Sequence, residues 1–342
     1  MSTLKERDYF FDNARAILIF LVVLGHLLVS YTSEDKYLSA LYLLIYSFHM
    51  PTFLFISGYF AKNIEQPNYL EKVAKKLIVP YALFFAFFSI YYYLTGKEDA
   101  IHLDPFNPVF ALWFLLTLFF FHVILVIVKN YKPVYVLTIS LVVSLLAGYS
   151  NNIGEYLSIS RTIVFFPIFY LGYLMTKKNT KLLRNKKLIP ISIIILCLFF
   201  VGYVLHPINA DWLLGSSAYT SVGEHPNDVY SPLKRLLLYV IILTTMLSFL
   251  ILVPKHNVKL TYIGRRTMQV YLLHGLVIGV VRGYKLFPFQ EPVNIYTYLY
   301  LFGLSAIIVL VLSSKPICKF VNPLIHLKNL QLLKINCENL KY

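Results

Sequence analysis

Cysteine is almost missing. Cys197, Cys318 and Cys337 are the only three, and they form neither a CxxC pair nor a metal-ligand spacing. This excludes a small disulfide scaffold, and no metal centre is expected. Charge is scarce as well, at 14% of residues where a soluble domain carries about 25%. Acidic residues are the scarcest: 16 Asp and Glu stand against 31 Lys and Arg, for a net charge of +15. Apolar residues fill the space, at 58% of the chain, and the mean hydropathy is +0.67. Such a composition is not that of a water-soluble globular enzyme, a disordered chain or a collagen-like rod.

The apolar residues come in long runs. A helix needs about 20 of them to cross the hydrocarbon core of a bilayer. Ten segments qualify: Ala14–Tyr31, Leu38–Phe60, Leu77–Thr95, Val109–Val128, Pro133–Tyr149, Thr162–Thr176, Leu188–His206, Leu233–Val253, Thr267–Arg282 and Asn294–Ser313. Their lengths predict helices, since an isolated strand in lipid would leave its backbone groups unpaired. The expected fold is an all-α polytopic bundle of about ten transmembrane helices. The first segment reads as a permanent helix, because Arg15 interrupts its apolar stretch and no A-x-A-like cleavage site follows Leu28.

The cations orient the bundle. With the N-terminus in the cytoplasm, 24 Lys and Arg fall on the inner side and seven on the outer, alternating loop by loop. This bias predicts N-in and C-in. The basic excess is therefore topological, and no nucleic-acid partner is expected. The division is a membrane domain over 1–314 and a cytoplasmic tail over 315–342, whose mixed apolar and Lys-bearing sequence suits an amphipathic helix on the inner surface. The longest outer loop, Pro207 to Pro232, is rich in Gly, Ser, Asn and Pro and reads chiefly as a connector. No internal repeat and no soluble catalytic segment is read, so the chemistry is expected within the bundle.

Ionisable residues inside a span are costly and face a partner or a cavity. Arg15 and His26 are 11 residues apart on the first helix. That is about three turns, so both share one face, roughly 16 Å apart. Asp12, three residues before Arg15, is placed to pair with it. His49 and His274 are expected at the same mid-membrane depth as His26, which predicts a shared polar cavity. Met50-Pro51 predicts a helix break beside it. His122, nearer the inner face, reads as packing or snorkelling. Gly275, Gly279 and Gly283 form a small-residue ridge for a neighbouring helix. Arg161 stands at the outer start of the sixth span, placed to meet an anionic acceptor or to pair with Glu155.

The Arg15–His26 spacing resembles the signature of the membrane acyltransferase 3 family. "FHMPTFLFISGYF", "KKLIVPY", "LWFLLTLFF", "FFPIFYLGYLM" and "YIGRRTMQVYLLH" are similar to its later blocks, in order, across all ten spans. The closest branch in likeness is the fucose 4-O-acetylase-like proteins. The resemblance implies a multi-pass enzyme of the bacterial cell membrane. Such an enzyme moves an acyl group, usually acetyl, from cytoplasmic acyl-CoA to a hydroxyl of a cell-surface carbohydrate. Family functional residues carry over onto Arg15 and His26, and onto Tyr59 and His274. Some relatives carry a fused extracytoplasmic esterase-like domain; without one, either the bundle or a separate protein of polysaccharide synthesis completes the transfer.

The expected donor, acetyl-CoA, brings phosphates, and Arg15, Lys72, Lys75, Lys76, Arg265 and Arg266 ring the inner mouths of the first, second, third and ninth spans. Tyr59 is grouped with this donor site. His26 is the expected general base toward the sugar hydroxyl, or the carrier of a short-lived acyl group, with His49 or His274 orienting it or steadying the oxyanion. Arg161 and Trp113 are the expected acceptor contacts. A transporter or export component for a glycan or lipid is the rival reading. It would favour inverted repeats and paired broken helices.

Overall fold

A computed structural model describes residues 8–151, 153–283, 286 and 293–326. Ten long helices carry the fold: α1 Tyr9–Leu28, α2 Lys36–Phe60, α3 Tyr69–Leu94, α4 Trp113–Val128, α5 Pro133–Leu146, α6 Ile159–Leu174, α8 Ile189–Leu205, α10 Ser231–Leu252, α12 Thr267–Gly283 and α13 Ile295–Leu312. Single-turn helices α7 Lys177–Thr180, α9 Asp211–Leu214 and α11 Thr261–Gly264 lie in the connections, and α14 Lys315–His326 follows the bundle. No strand occurs among the described residues. All ten apolar segments are thus helical, and eight are long and apolar enough to cross a membrane. The exceptions are α5, with 14 residues, and α12, with 17. Lys5, Arg7, Lys285, Lys328, Lys334, Lys341, Cys337 and the tail beyond His326 lie outside the described residues.

Local chemistry sets the helix starts. The Asp8 carboxylate accepts from Phe10 N, Asp35 accepts from Tyr37 N and Leu38 N at 2.8 Å, and Asn294 forms a capping box with Thr297. These side chains satisfy N–H groups that have no partner within the helix. Lys62 works at the other kind of end. Its ammonium donates to the carbonyls of Tyr173 and Met175, where α6 stops, so this cation caps a negative helix terminus.

The expected break at Met50-Pro51 is absent: α2 runs unbroken through Pro51. Side-chain donors gather around the proline. His49 Nδ1 donates to Ile45 O at 2.8 Å and Thr52 Oγ1 to Phe48 O at 2.6 Å. These bonds go to carbonyls on either side of that of Ser47, the one Pro51 leaves without its helical donor.

Helices α2 and α6 make a close backbone contact. A Cβ on Gly58 would stand 2.0 Å from Phe169 O, and one on Gly172 would stand 2.0 Å from Phe55 O. Two glycines, one on each helix, thus bring the backbones together, the small-residue packing that membrane bundles favour. The Gly275–Gly279–Gly283 ridge does something else. Gly275 receives the rings of Phe110 and Phe88, and Gly279 receives the Tyr91 hydroxyl; side chains, not a helix backbone, fill the ridge. On the rim, α8 exposes Ile191, Ile194, Leu198, Val201 and Leu205, and α5 exposes Val134, Ile139 and Val142. Apolar faces of this extent suit contact with lipid.

The connection from α10 to α12 is stitched onto the start of α1. Asn13 Nδ2 donates to Pro254 O at 2.9 Å and His256 O at 2.8 Å, and Thr261 Oγ1 donates to Asn13 Oδ1 at 2.6 Å. Gly264 lies directly on Asp12 O. This contact carries Arg265 to the same end of the bundle as Arg15.

Candidate active site

The basic end of the bundle opens on a cavity of about 520 Å³, a size within the range of small-molecule and cofactor sites. Arg15, Lys72, Lys76 and Arg265 stand in its wall with Phe60, Asn63, Gln66, Tyr69 and His122. Its deeper wall is apolar: Ile19, Val22, Phe53, Leu115, Leu118 and Met268. Asp12 organises the mouth. It is 3% exposed, 3.8 Å from Arg15 Nη1 and 3.4 Å from Arg265 Nε. One carboxylate thus holds two guanidinium groups, and Arg15 also lies 4.7 Å over the Phe60 ring.

Not every expected donor contact reaches this cavity. Lys75 is 68% exposed and pairs with Glu71, pointing away from the wall that Lys72 and Lys76 share. Arg266 donates to Ser313 O and lies over Tyr262. Tyr59 stacks on Phe11 with ring centroids 4.6 Å apart. On α3 the wall uses Tyr69, Lys72, Val73, Lys76 and Leu77, and Lys75, about 100° round the helix from Lys76, falls off that face.

Met50, Phe114 and Tyr271 also stand in the cavity wall. Phe114 and Tyr271 have ring centroids 5.5 Å apart, and the Tyr271 hydroxyl donates to Ala111 O. The expected histidines His26, His49 and His274 are not in the wall. His26 is one turn past Val22 and belongs to the last turn of α1, because that helix ends at Leu28. His274 is 5.3 Å from it, ring to ring, and Phe110 packs on both, at 4.9 Å from His26 and 5.3 Å from His274.

The tautomer of His274 follows from its surroundings. Nδ1 faces the carbonyls of Tyr271, at 2.6 Å, and Val270, at 3.2 Å. Carbonyls only accept, so Nδ1 carries the hydrogen and Nε2 is a bare acceptor. That Nε2 is buried without a hydrogen-bond partner among the described residues. His49 is held in the same tautomer by Ile45 O, and its ring meets Tyr46 edge-on at 4.6 Å. Tyr46 in turn lies against Gly25, next to His26. The three histidines therefore share a neighbourhood: His26 and His274 touch, and His49 is joined through Tyr46.

Arg161 and Trp113 also meet. The guanidinium lies 4.8 Å over the indole, bonds Glu155 at 2.8 Å and donates through Nε to Leu214 O at 3.3 Å. Of the two roles expected for Arg161, this is the Glu155 pairing. The long loop between α8 and α10 is packed rather than free, with Leu213, Ala218 and Tyr219 buried. Arg235 fixes it, donating to Ser144 O and Ser217 O at 3.1 Å each.

Three features escaped the sequence. Arg282 donates to His26 O at 2.5 Å, yet its position reads only as a cation at a helix end. Phe110 has φ of +53°, a conformation that a bulky residue rarely adopts and that clusters at functional sites. His122 lines the cavity and bonds the Tyr69 hydroxyl at 2.6 Å, so it is not simply packing.

The sequence profile of the acyltransferase 3 family, described as an acyltransferase domain, matches residues 8–314. The chain belongs to that family. The match covers every element of the site above. The nodulation protein NolL of Sinorhizobium fredii is 30% identical over 218 residues, 58% of each chain. The nodulation protein NolL of Mesorhizobium japonicum is 41% identical over 83 residues, 22% of each. The match thus spans little more than half the length of the first of these relatives. No solved structure matches. Among the described residues, no group of three or more His, Cys, Asp and Glu is placed to hold a metal ion.

Proposed function

We propose that the protein is an O-acyltransferase that takes acetyl from acetyl-CoA at the basic end of the bundle. It delivers the group to a hydroxyl of a cell-surface carbohydrate at the opposite end. The observation that carries this reading is the cavity walled by Arg15, Lys72, Lys76 and Arg265, whose lining includes Val22 of α1 and Tyr271 of α12, each one helical turn from the His26–His274 pair. Phosphates suit the cations, and the apolar inner wall suits the pantetheine arm. In this reading Phe114 and Tyr271, which stand in the cavity wall, give way for the thioester to pass.

In the transfer, His26 accepts the proton of the attacking hydroxyl as its oxygen bonds the thioester carbon. The carbon–sulfur bond then breaks, and the CoA thiolate leaves toward the basic end, where it is protonated. A positioned base of this kind contributes roughly 10²–10⁴-fold. His274, with its bare Nε2 beside His26, is suited to hold a hydrogen of His26 and so fix that ring. In this reading the setting is the bacterial plasma membrane, with both termini cytoplasmic. The 1–314 unit carries the chemistry, and α14, at the start of the 315–342 tail, faces the inner side.

The test uses the purified full chain in detergent or proteoliposomes with labelled acetyl-CoA and candidate carbohydrate acceptors. Acceptor-dependent CoA release is expected, with a mass increase of one acetyl group on the glycan. Substitution of His26 by alanine that leaves acylation near normal refutes its role as base. Glycan movement without CoA release favours a carrier.

A further inference from the structure

The donor cavity has a polar corner that the phosphate-binding cations leave unexplained. It is built where the α2–α3 connection meets α4, from Asn63, Gln66, Tyr69 and His122, all in the cavity wall. The connection folds back on itself: Gln66 N donates to Asn63 O and Tyr69 N to Gln66 O, both at 3.2 Å. Asn68 takes the left-handed conformation, φ +56° and ψ +32°, immediately before α3. Asn tolerates that conformation better than most residues, and the turn places Tyr69 at the first position of the helix. The Tyr69–His122 hydrogen bond then anchors the phenol to α4, and His122 is itself packed edge-on against Phe169 at 5.7 Å. The corner thus offers a fixed aromatic ring beside two side-chain amides, and Lys72 and Lys76 stand in the same wall.

We propose that this corner is a base subsite, which takes the purine of the donor nucleotide while the neighbouring cations take its phosphates. The warrant is chemical. A purine has a flat π-face and an edge of alternating donors and acceptors. Anchored aromatic rings bind the face, and Asn and Gln amides, each with donors and an acceptor, read the edge. Phosphates are met by Arg and Lys at the same mouth. No other part of the wall has this pairing, because the deeper residues are apolar. The subsite rests on the acyl-CoA reading above and adds recognition of the nucleotide end to it. Asn63 and Gln66 become specificity-determining residues and Tyr69 a stacking platform held by His122.

The full chain is titrated in detergent with three probes: acetyl-CoA, the etheno analogue of acetyl-CoA, whose purine edge is blocked, and S-acetylpantetheine, which has no nucleotide. The wild-type protein is expected to bind the etheno analogue about tenfold more weakly than acetyl-CoA. Tyr69→Ala and the double change Asn63→Ala/Gln66→Ala are each expected to weaken acetyl-CoA about tenfold, with S-acetylpantetheine unaltered. Tyr69→Phe, which keeps the ring and loses the hydrogen bond, falls between. The base subsite is overturned if wild type binds acetyl-CoA and its etheno analogue equally, or if the variants weaken S-acetylpantetheine as much as acetyl-CoA. Wild type that binds no acetyl-CoA at all overturns the donor reading itself, and the subsite with it. The etheno comparison needs no variant, so a misfolded substitution does not decide the matter.

Discussion

Asp12 joins the two halves of the donor mouth. A buried carboxylate between two guanidinium groups is fixed by both, and removing its charge releases both. Asp12→Asn is therefore expected to raise the KM for acetyl-CoA at least as much as Arg15→Ala does. Arg15→Lys should recover only part of the loss, since an ammonium cannot span two oxygens as a guanidinium does. Steady-state kinetics at saturating acceptor would reveal either pattern. At the other end of the same helix, Arg282 tethers the backbone of His26. Arg282→Gln is expected to lower kcat roughly tenfold, the size of a charge-assisted hydrogen bond, at unchanged KM for the donor, with Arg282→Lys closer to wild type. A change in KM alone would argue against this positioning role. Arg15 and His26 were legible in the sequence because their spacing needs only the helical repeat. Arg282 was not: its partner is a main-chain oxygen 256 residues away, and no side-chain pattern marks such a bond.

Among the elements, α2 and α6 depend on one another most closely. Gly58 and Gly172 each oppose a carbonyl of the other helix, so an added methyl must push two backbones apart. Gly172→Ala is expected to destabilise the bundle by about 1–3 kcal/mol, visible as a lower thermal midpoint in detergent. An unchanged midpoint would mean that the two helices are not so close. All ten long helices could be read from apolar runs, for that pattern depends on the solvent, lipid, rather than on tertiary detail. What the runs do not contain is the direction of each lateral contact. The glycine ridge of α12 looked like a seat for a helix and holds rings from α3 and from Phe110 instead, whereas the true backbone contact uses two solitary glycines. The same holds for Pro51, which sits in a helix that stays unbroken where it packs between its neighbours.

For the molecule as a whole, the proposed orientation has a direct readout. Single cysteines placed at Lys97 and at Lys62, in a background lacking Cys197, Cys318 and Cys337, can be tested in intact cells. A membrane-impermeant maleimide is expected to label Lys97→Cys and to spare Lys62→Cys until the membrane is broken. The reverse pattern would invert the bundle and place the donor cavity outside. The cation bias is what predicts this orientation. The cavity itself was only partly readable: its cations follow from the loops, but its polar corner forms where two distant segments meet.

The Phe114–Tyr271 contact in the cavity wall bears on the energy supply of the cell. A membrane enzyme that admitted a cytoplasmic cofactor and an external sugar toward one point would risk becoming a proton leak. Two rings packed together there set apolar surface against a file of water. Proteoliposomes bearing Tyr271→Ala should therefore dissipate an imposed pH gradient faster than those bearing the wild-type chain.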